Sequence, residues 1–280
     1  MRRIFALLVF SVSLLPSFAQ SDDFGLDFTV GAEKKLCPGL SFALESEART
    51  QDNTRKIERW TIGGELQMRL FRTPDKKFEL KAAAGWKYMW LNNLRELNDK
   101  YDEDTYVTPD GTTTETYYVG YNDKHTYWRN RHRTSVSLDA SYKLNKRWSV
   151  SLKETFQFTH FCEASATVDK YRLIDEEDLE SGYNQTTETK DYAPKDRSVL
   201  RSKLTVQYNI RHCPVNPYVS VDYGCGLNYT ASKWKYTAGA DINLTASKQH
   251  KLDVFYRYQT ENDDDDPNGH LIGVGYKFKF

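Results

Sequence analysis

Apolar residues recur at every second position along most of this chain, and no other feature limits the possible folds so tightly. A period of two is the repeat of a β-strand with one apolar face. The final segment, HLIGVGYKFKF, is the cleanest case. Ile272, Val274, Tyr276, Phe278 and Phe280 fall on one face, and Leu271, Gly273, Gly275, Lys277 and Lys279 fall on the other. Runs of the same kind cover 24–30, 40–44, 60–70, 78–90, 128–142, 148–158, 200–210, 219–229, 234–244 and 252–258. Turn-forming residues separate them, which predicts an all-β sandwich or barrel.

The opposite faces of these runs carry charge: Glu45, Glu65, Lys81, Lys87, Asp139, Lys153, Arg201, Asp222, Asp241, Asp253 and Arg257. A sandwich would bury the apolar sides and leave the charges in water. The runs are long for that, because sandwich strands are usually about 5 to 6 residues. Membrane strands need about 9 to 11, and 60–70, 78–90 and 234–244 reach that length. Trp and Tyr sit at the ends of the apolar faces, as in the aromatic girdles of outer-membrane barrels.

The N-terminus predicts export. Arg2 and Arg3 precede an apolar run from Ile4 to Leu15, and PSFAQ supplies small residues for a cut after Ala19. Residues 1–19 are therefore expected to be a signal peptide and 20–280 a single barrel domain. No Cys follows the cut, which argues against a lipoprotein. Lys plus Arg and Asp plus Glu both total 39, so the chain lacks the basic surface of a nucleic-acid binder. Four cysteines, Cys37, Cys162, Cys213 and Cys225, show no metal-ligand spacing, and their pairing stays open.

One set of connections is short and basic (EKKLCPG, TPDKK, LNKR, HCPVNP, SKQHK), while 92–124 and 163–197 are long and acidic. Short periplasmic turns with long outer loops are the barrel pattern. The expected fold is an up-and-down antiparallel transmembrane β-barrel of about 10–12 strands, ending at Phe280 on the periplasmic side. Eleven runs can be counted, whereas bacterial single-chain barrels usually have even numbers. Ten strands, twelve strands or an N-terminus threaded through the lumen all remain open at this point.

The segments FGLDFTVGAEKKL, YWRNRHR, VFYRYQTENDDDDPN and IGVGYKFKF resemble the uncharacterised outer-membrane β-barrels of Bacteroidota grouped as domain of unknown function 2490. The likeness covers the mature chain. It implies an outer-membrane location and no established activity, so it carries no catalytic residues over.

Three groups of residues are candidates for chemistry. Arg129, Arg131 and Arg133 alternate on one face, where lipid exposure would cost about 2 to 4 kcal/mol each at the midplane. They are expected to face the lumen, as an anion-selective lining or as partners of Glu45, Glu65, Asp139, Asp222 or Asp241. Asn130, His132, Thr134, Glu154 and His160 are polar yet in phase with the apolar face. If LNKR pairs Tyr142 with Trp148, Glu154 lies opposite Val136 and His160 opposite Asn130. No Ser joins them in that register, so no nucleophile–base–orienter group closes. His132, Glu154 and His160 are thus weak catalytic candidates. The acidic run containing Asp263, Asp264, Asp265 and Asp266 is a weak cation site, without the EF-hand glycine. No cofactor motif is present.

The sequence predicts a non-enzymatic outer-membrane barrel: a narrow pore, or a structural or surface-binding barrel. Its partners would be outer-membrane lipid and lipopolysaccharide, with the barrel insertion machinery reading the strand that ends at Phe280. A lipid-modifying hydrolase and a secreted soluble β protein are the alternatives.

Overall fold

The computed structural model describes residues 23–108, 111–175, 180, 182–230, 232–261 and 269–280. The expected signal peptide and Asp263–Asp266 lie outside the described residues. The described chain is all β. Its strands are β1 (Asp23–Cys37), β2 (Leu40–Gln51), β3 (Lys56–Arg72), β4 (Phe78–Asn93), β5 (Glu96–Thr108), β6 (Gly111–Lys124), β7 (Tyr127–Lys143), β8 (Trp148–Phe161), β9 (Ala164–Leu173), β10 (Tyr183–Tyr192), β11 (Lys195–Tyr208), β12 (Val215–Gly226), β13 (Ser232–Asn243), β14 (His250–Glu261) and β15 (Gly269–Lys279). The chain divides into two compact units. One holds the chain up to Trp90 with Arg131–His160 and Asp196–Phe280; the other holds Leu91–Asn130 and Phe161–Lys195.

The first unit is a closed barrel in the order β1-β15-β14-β13-β12-β11-β8-β7-β4-β3-β2. Eleven strands that alternate in direction leave the first and last pointing the same way, so the closing seam has to be parallel. It is: β1 pairs with β15 from Asp23↔Gly269 to Glu33↔Lys279. Neither a lost strand nor an extra one is needed to explain the odd count. The Phe280 N–H donates to the Glu33 carbonyl at 2.9 Å and the Phe280 carbonyl accepts from the Lys35 N–H at 3.2 Å, so the last residue is still laced to β1.

The barrel is apolar outside and charged inside. Trp86 and Leu138 are 46% and 49% exposed, and Phe28, Leu44, Ile62, Leu204 and Tyr236 are exposed with them. Asp27, Arg49, Glu58, Arg131 and Asp222 are buried. Successive side chains of a strand point to opposite faces, so each alternating run delivers one set to each side. Part of the interior is filled by rings laid over glycines. A Cβ on Gly273 would lie 2.1 Å from Phe255 Cζ, and one on Gly239 would lie 2.8 Å from both Phe255 Cβ and Tyr218 Cζ. Only glycine lets the rings approach those backbones so closely.

The second unit gives the two long connections a structure of their own. The acidic segments 92–124 and 163–197 carry two hairpins that join as a four-stranded sheet, β10-β9-β6-β5. β6 pairs with β9 from Gly120↔Arg172 to Lys124↔Val168. Charge on both faces of these strands conceals the period of two. Their strand signal lies instead in Tyr, Thr and Val, which suit a half-exposed pleated surface, and in the Pro-Asp-Gly turn signal at 109–111. Leu91, Phe161, Ala166, Val168 and Leu173 form the small buried apolar group of this unit.

Candidate functional site: the charge-paired lumen, its basic mouth and an outer polar row

The barrel interior is organised around Arg49. It donates to Asp27 Oδ2 at 3.1 Å and lies 3.6 Å from both Glu47 and Glu58. Arg59 meets Glu47 at 3.0 Å and Glu58 at 3.4 Å. A register break explains how neighbouring residues 58 and 59 both serve this cluster. Arg49 faces Arg59, while Thr50 faces Ile57, so Glu58 is the extra residue of a β-bulge. A bulge sets two consecutive side chains against one partner position. The two opposed arginines are then held together by the carboxylates between them. Further pairs repeat the theme: Lys87 with Glu45 at 2.6 Å, Lys153 with Glu65 at 3.8 Å, and Arg201 with Asp222. Gln207 donates to Asp241 at 2.7 Å, and the Tyr218 hydroxyl donates to Asp253 at 3.0 Å. The sequence revealed charged faces but not this cluster. Asp27 and Glu58 had no visible partner in it, because their partners come from other strands and through a bulge.

Arg129, Arg131 and Arg133 take three different positions. Arg129 belongs to the second unit, where its guanidinium donates to the carbonyls of Cys162 at 2.9 Å and Ala193 at 2.7 Å and covers the rings of Phe161 and Tyr192. Arg131 is buried in the barrel unit, and Arg133 Nε donates to Thr159 Oγ1 at 3.1 Å. Among the acids expected to answer them, Glu45, Glu65 and Asp222 pair with Lys87, Lys153 and Arg201 instead.

At the short-turn end of the barrel lies a cavity of about 1080 Å³. The connections 73–77, 144–147, 209–214 and 244–249 all contribute to its wall. Lys77, Lys143, Lys146, Arg147 and Lys248 line it, with Asp75 as its one carboxylate among the described residues. The basic character of these turns was legible in the sequence; that they enclose one space was not.

The outer polar row differs from its expected register. The Cys162 N–H donates to the Asn130 carbonyl at 3.0 Å, and Arg133 bonds Thr159. Both fit a β7–β8 ladder two residues away from the Tyr142–Trp148 pairing. Continued through the ladder, that register sets His132, rather than Asn130, across from His160. His132 rests against Tyr88 and Trp86, with ring centroids 4.8 and 5.9 Å apart. His160 Nδ1 is 2.7 Å from Asp196 Oδ1. A serine does join this face, contrary to expectation: Ser202 donates to Glu154 Oε2 at 2.6 Å. It is supplied by β11, beyond the hairpin from which the register was reasoned. Among the described residues, no serine or threonine hydroxyl hydrogen-bonds to His132 or His160.

In the second unit, Arg95 clamps Asp123, with Nε 2.6 Å from Oδ1. That bond holds the Asp123 carboxyl below its usual range. Thr187 donates to Asp169 at 2.5 Å, and His125 Nε2 lies 2.8 Å away on its other oxygen; together they lower Asp169 as well. Beside them the rings of Tyr121 and Tyr171 stack at 4.6 Å. Among the described residues no group of three or more His, Cys, Asp or Glu side chains is arranged to hold a metal ion, and all four cysteines are free thiols.

No protein-family model matches the chain, and no curated protein matches it.

Proposed function

We propose that this chain is an outer-membrane β-barrel whose charge-lined lumen forms a narrow passage. The observation that carries this reading is the inverted polarity of the barrel unit, with Trp86 and Leu138 exposed and the Arg49 cluster buried. An apolar exterior on an edgeless barrel suits hydrocarbon, where every backbone group must be satisfied internally. Eleven strands stand between small barrels filled by side chains and the 16–18-stranded porins with an aqueous channel. Ion pairs across such an interior narrow the passage and leave it polar. The resemblance to Bacteroidota barrels and the signal-like N-terminus point the same way. Outer-membrane lipid then surrounds the barrel, and the strand ending at Phe280 is its signal to the insertion machinery.

Two measurements test this. Folded protein should migrate differently from boiled protein on a gel and stay with membranes after a high-salt wash. In a planar bilayer it should give small, discrete conductance steps. Folded but silent protein would convert the reading to a structural or surface-binding barrel, and release by salt alone would remove the membrane reading.

A further inference from the structure

We propose that the cavity at the short-turn end of the barrel is a binding site for a multivalent oxyanion. The reason lies in how its charges are spent. In the lumen, Arg49, Lys87, Lys153 and Arg201 each have a carboxylate partner. Around the cavity five cations face a single carboxylate among the described residues. Asp75 is already committed, accepting from Thr73 Oγ1 at 2.5 Å and from the Lys77 N–H at 3.1 Å, with Lys77 Nζ at 3.7 Å. Arg147 donates to the Tyr208 hydroxyl, an uncharged partner, at 3.2 Å. Lys143, Lys146 and Lys248 have no ion-pair partner among the described residues.

Like charges gathered round one concave space repel, and a concave wall of one sign concentrates the opposite ion. The chain is neutral overall, so this concentration of positive charge is local rather than a general basic surface. Two further features suit a ligand rather than loose counterions. The cavity, at about 1080 Å³, is slightly larger than the roughly 300–1,000 Å³ typical of small-molecule sites. The side-chain amides of Asn209 and Asn216 also line it, without side-chain partners among the described residues, and can direct hydrogen bonds. Multivalence follows from where the cations sit. Lys143 and Lys146 lie at one turn and Lys248 lies on another, so a single-charge ion can satisfy one or two of them, whereas several phosphates or carboxylates on one molecule can satisfy all.

The site does not depend on conduction. Binding by a barrel that is silent in bilayers would leave the site and remove the pore; conduction without binding would do the reverse. The test uses full-length chain folded in zwitterionic detergent at low salt, titrated calorimetrically with inorganic tripolyphosphate and, in parallel, with citrate. Saturable binding at about one equivalent per chain, weakening as salt is raised, is the expected result. Stronger tripolyphosphate binding marks a phosphorylated ligand, and stronger citrate binding a polycarboxylate. The triple variant K143Q/K146Q/K248Q should bind about tenfold more weakly or worse, a difference well resolved by titration. The triple variant R55Q/K56Q/K233Q removes the same charge at the opposite end of the barrel strands and should stay within about twofold. Unboiled gel mobility verifies that both variants are folded. No saturable binding by folded wild type, a stoichiometry of several ions per chain, or equal loss in both triples would overturn the proposal.

Discussion

The barrel and the four-stranded sheet are both built from strands of ten residues or more, yet they distribute polarity in opposite ways. In the barrel, large apolar side chains such as Phe28, Ile62 and Leu138 are exposed while Asp27, Arg49 and Glu58 are buried. In the second unit, β10 is exposed along almost its whole length and carries Gln185, Thr186, Glu188 and Lys190, while Leu91, Phe161 and Val168 are buried. Strand geometry alone therefore does not decide which face is apolar. Under the proposed membrane location, the barrel's outer face would meet hydrocarbon and the sheet would meet water.

The largest effect should come from breaking the lumen cluster. Arg49→Ala would leave Asp27, Glu47 and Glu58 facing one another without their central cation. Removing one partner of a buried charge group costs about 3–5 kcal/mol. The matching change in the second unit, Arg95→Ala, removes a side chain that is 59% exposed from a carboxylate that is only 5% exposed; it should cost less, because it strands one carboxylate beneath an exposed residue rather than three around a buried one. Urea titrations of the two variants in lipid vesicles compare them directly. Equal, small losses would mean that the interior cluster is already hydrated and that the passage is wider than proposed.

Reversing the polarity of the exterior should come next. Leu138→Arg places a charge on the outer face, at about 2–4 kcal/mol if that face meets hydrocarbon. Thr186→Arg on β10 should fall within about 0.5 kcal/mol, as for most surface changes. The folded fraction on an unboiled gel reports both. A harmless Leu138→Arg would place the exterior in water and favour a soluble barrel.

How far the sequence reveals each region follows from the same contrast. In the barrel, one face of each strand is nearly pure in apolar residues, so the period of two survives reading by eye and the closed fold could be expected from it. The parallel seam is a consequence of the odd count rather than of any residue, and so it carried no sequence mark. In β5, β6, β9 and β10 both faces are polar, the alternation disappears, and the acids suggested loops. The candidate site was legible only in part. Which side Arg131 faces follows from alternation, but the partner of Glu154 depends on β11, 48 residues further along the chain. Register across a non-hairpin neighbour, and the bulge at Glu58, are set by tertiary packing that local spacing does not encode.

Ser202→Ala should sharpen the outer-face half of the comparison, with a smaller effect. Removing the hydroxyl leaves Glu154 without its 2.6 Å donor on an otherwise apolar surface. A hydrogen bond to such a group contributes about 1 kcal/mol or somewhat more. Pairing the change with Glu154→Leu should restore stability or exceed the wild type, because neither member then needs a partner. Vesicle unfolding of the single and double variants checks this. If Ser202→Ala alone is neutral, Glu154 has another partner, and the row beside His132 and His160 is better hydrated than the surrounding apolar face.

The smallest effect separates the two regions by acid. Asp123 is held down by its bonds to Arg95, and Asp169 by Thr187 and then His125. A carboxyl whose folded value lies below its unfolded one stabilises the fold at every pH above the unfolded value, about 3.9 for Asp. That contribution fades as pH falls through the folded value. The sheet should therefore loosen as pH falls below the ordinary Asp value. The near-ultraviolet dichroism of the Tyr121–Tyr171 stack should decline with it. Asp123→Asn removes one of the two titrating groups, so its signal should be lower at neutral pH and change less with acid. An unchanged tyrosine signal down to pH 2 in the wild type would show that the carboxylate clamps hold nothing that the small apolar group of Leu91, Phe161 and Val168 does not already hold. The sheet would then be fixed by its packing, in contrast to the barrel, whose interior is tied together by the Arg49 cluster.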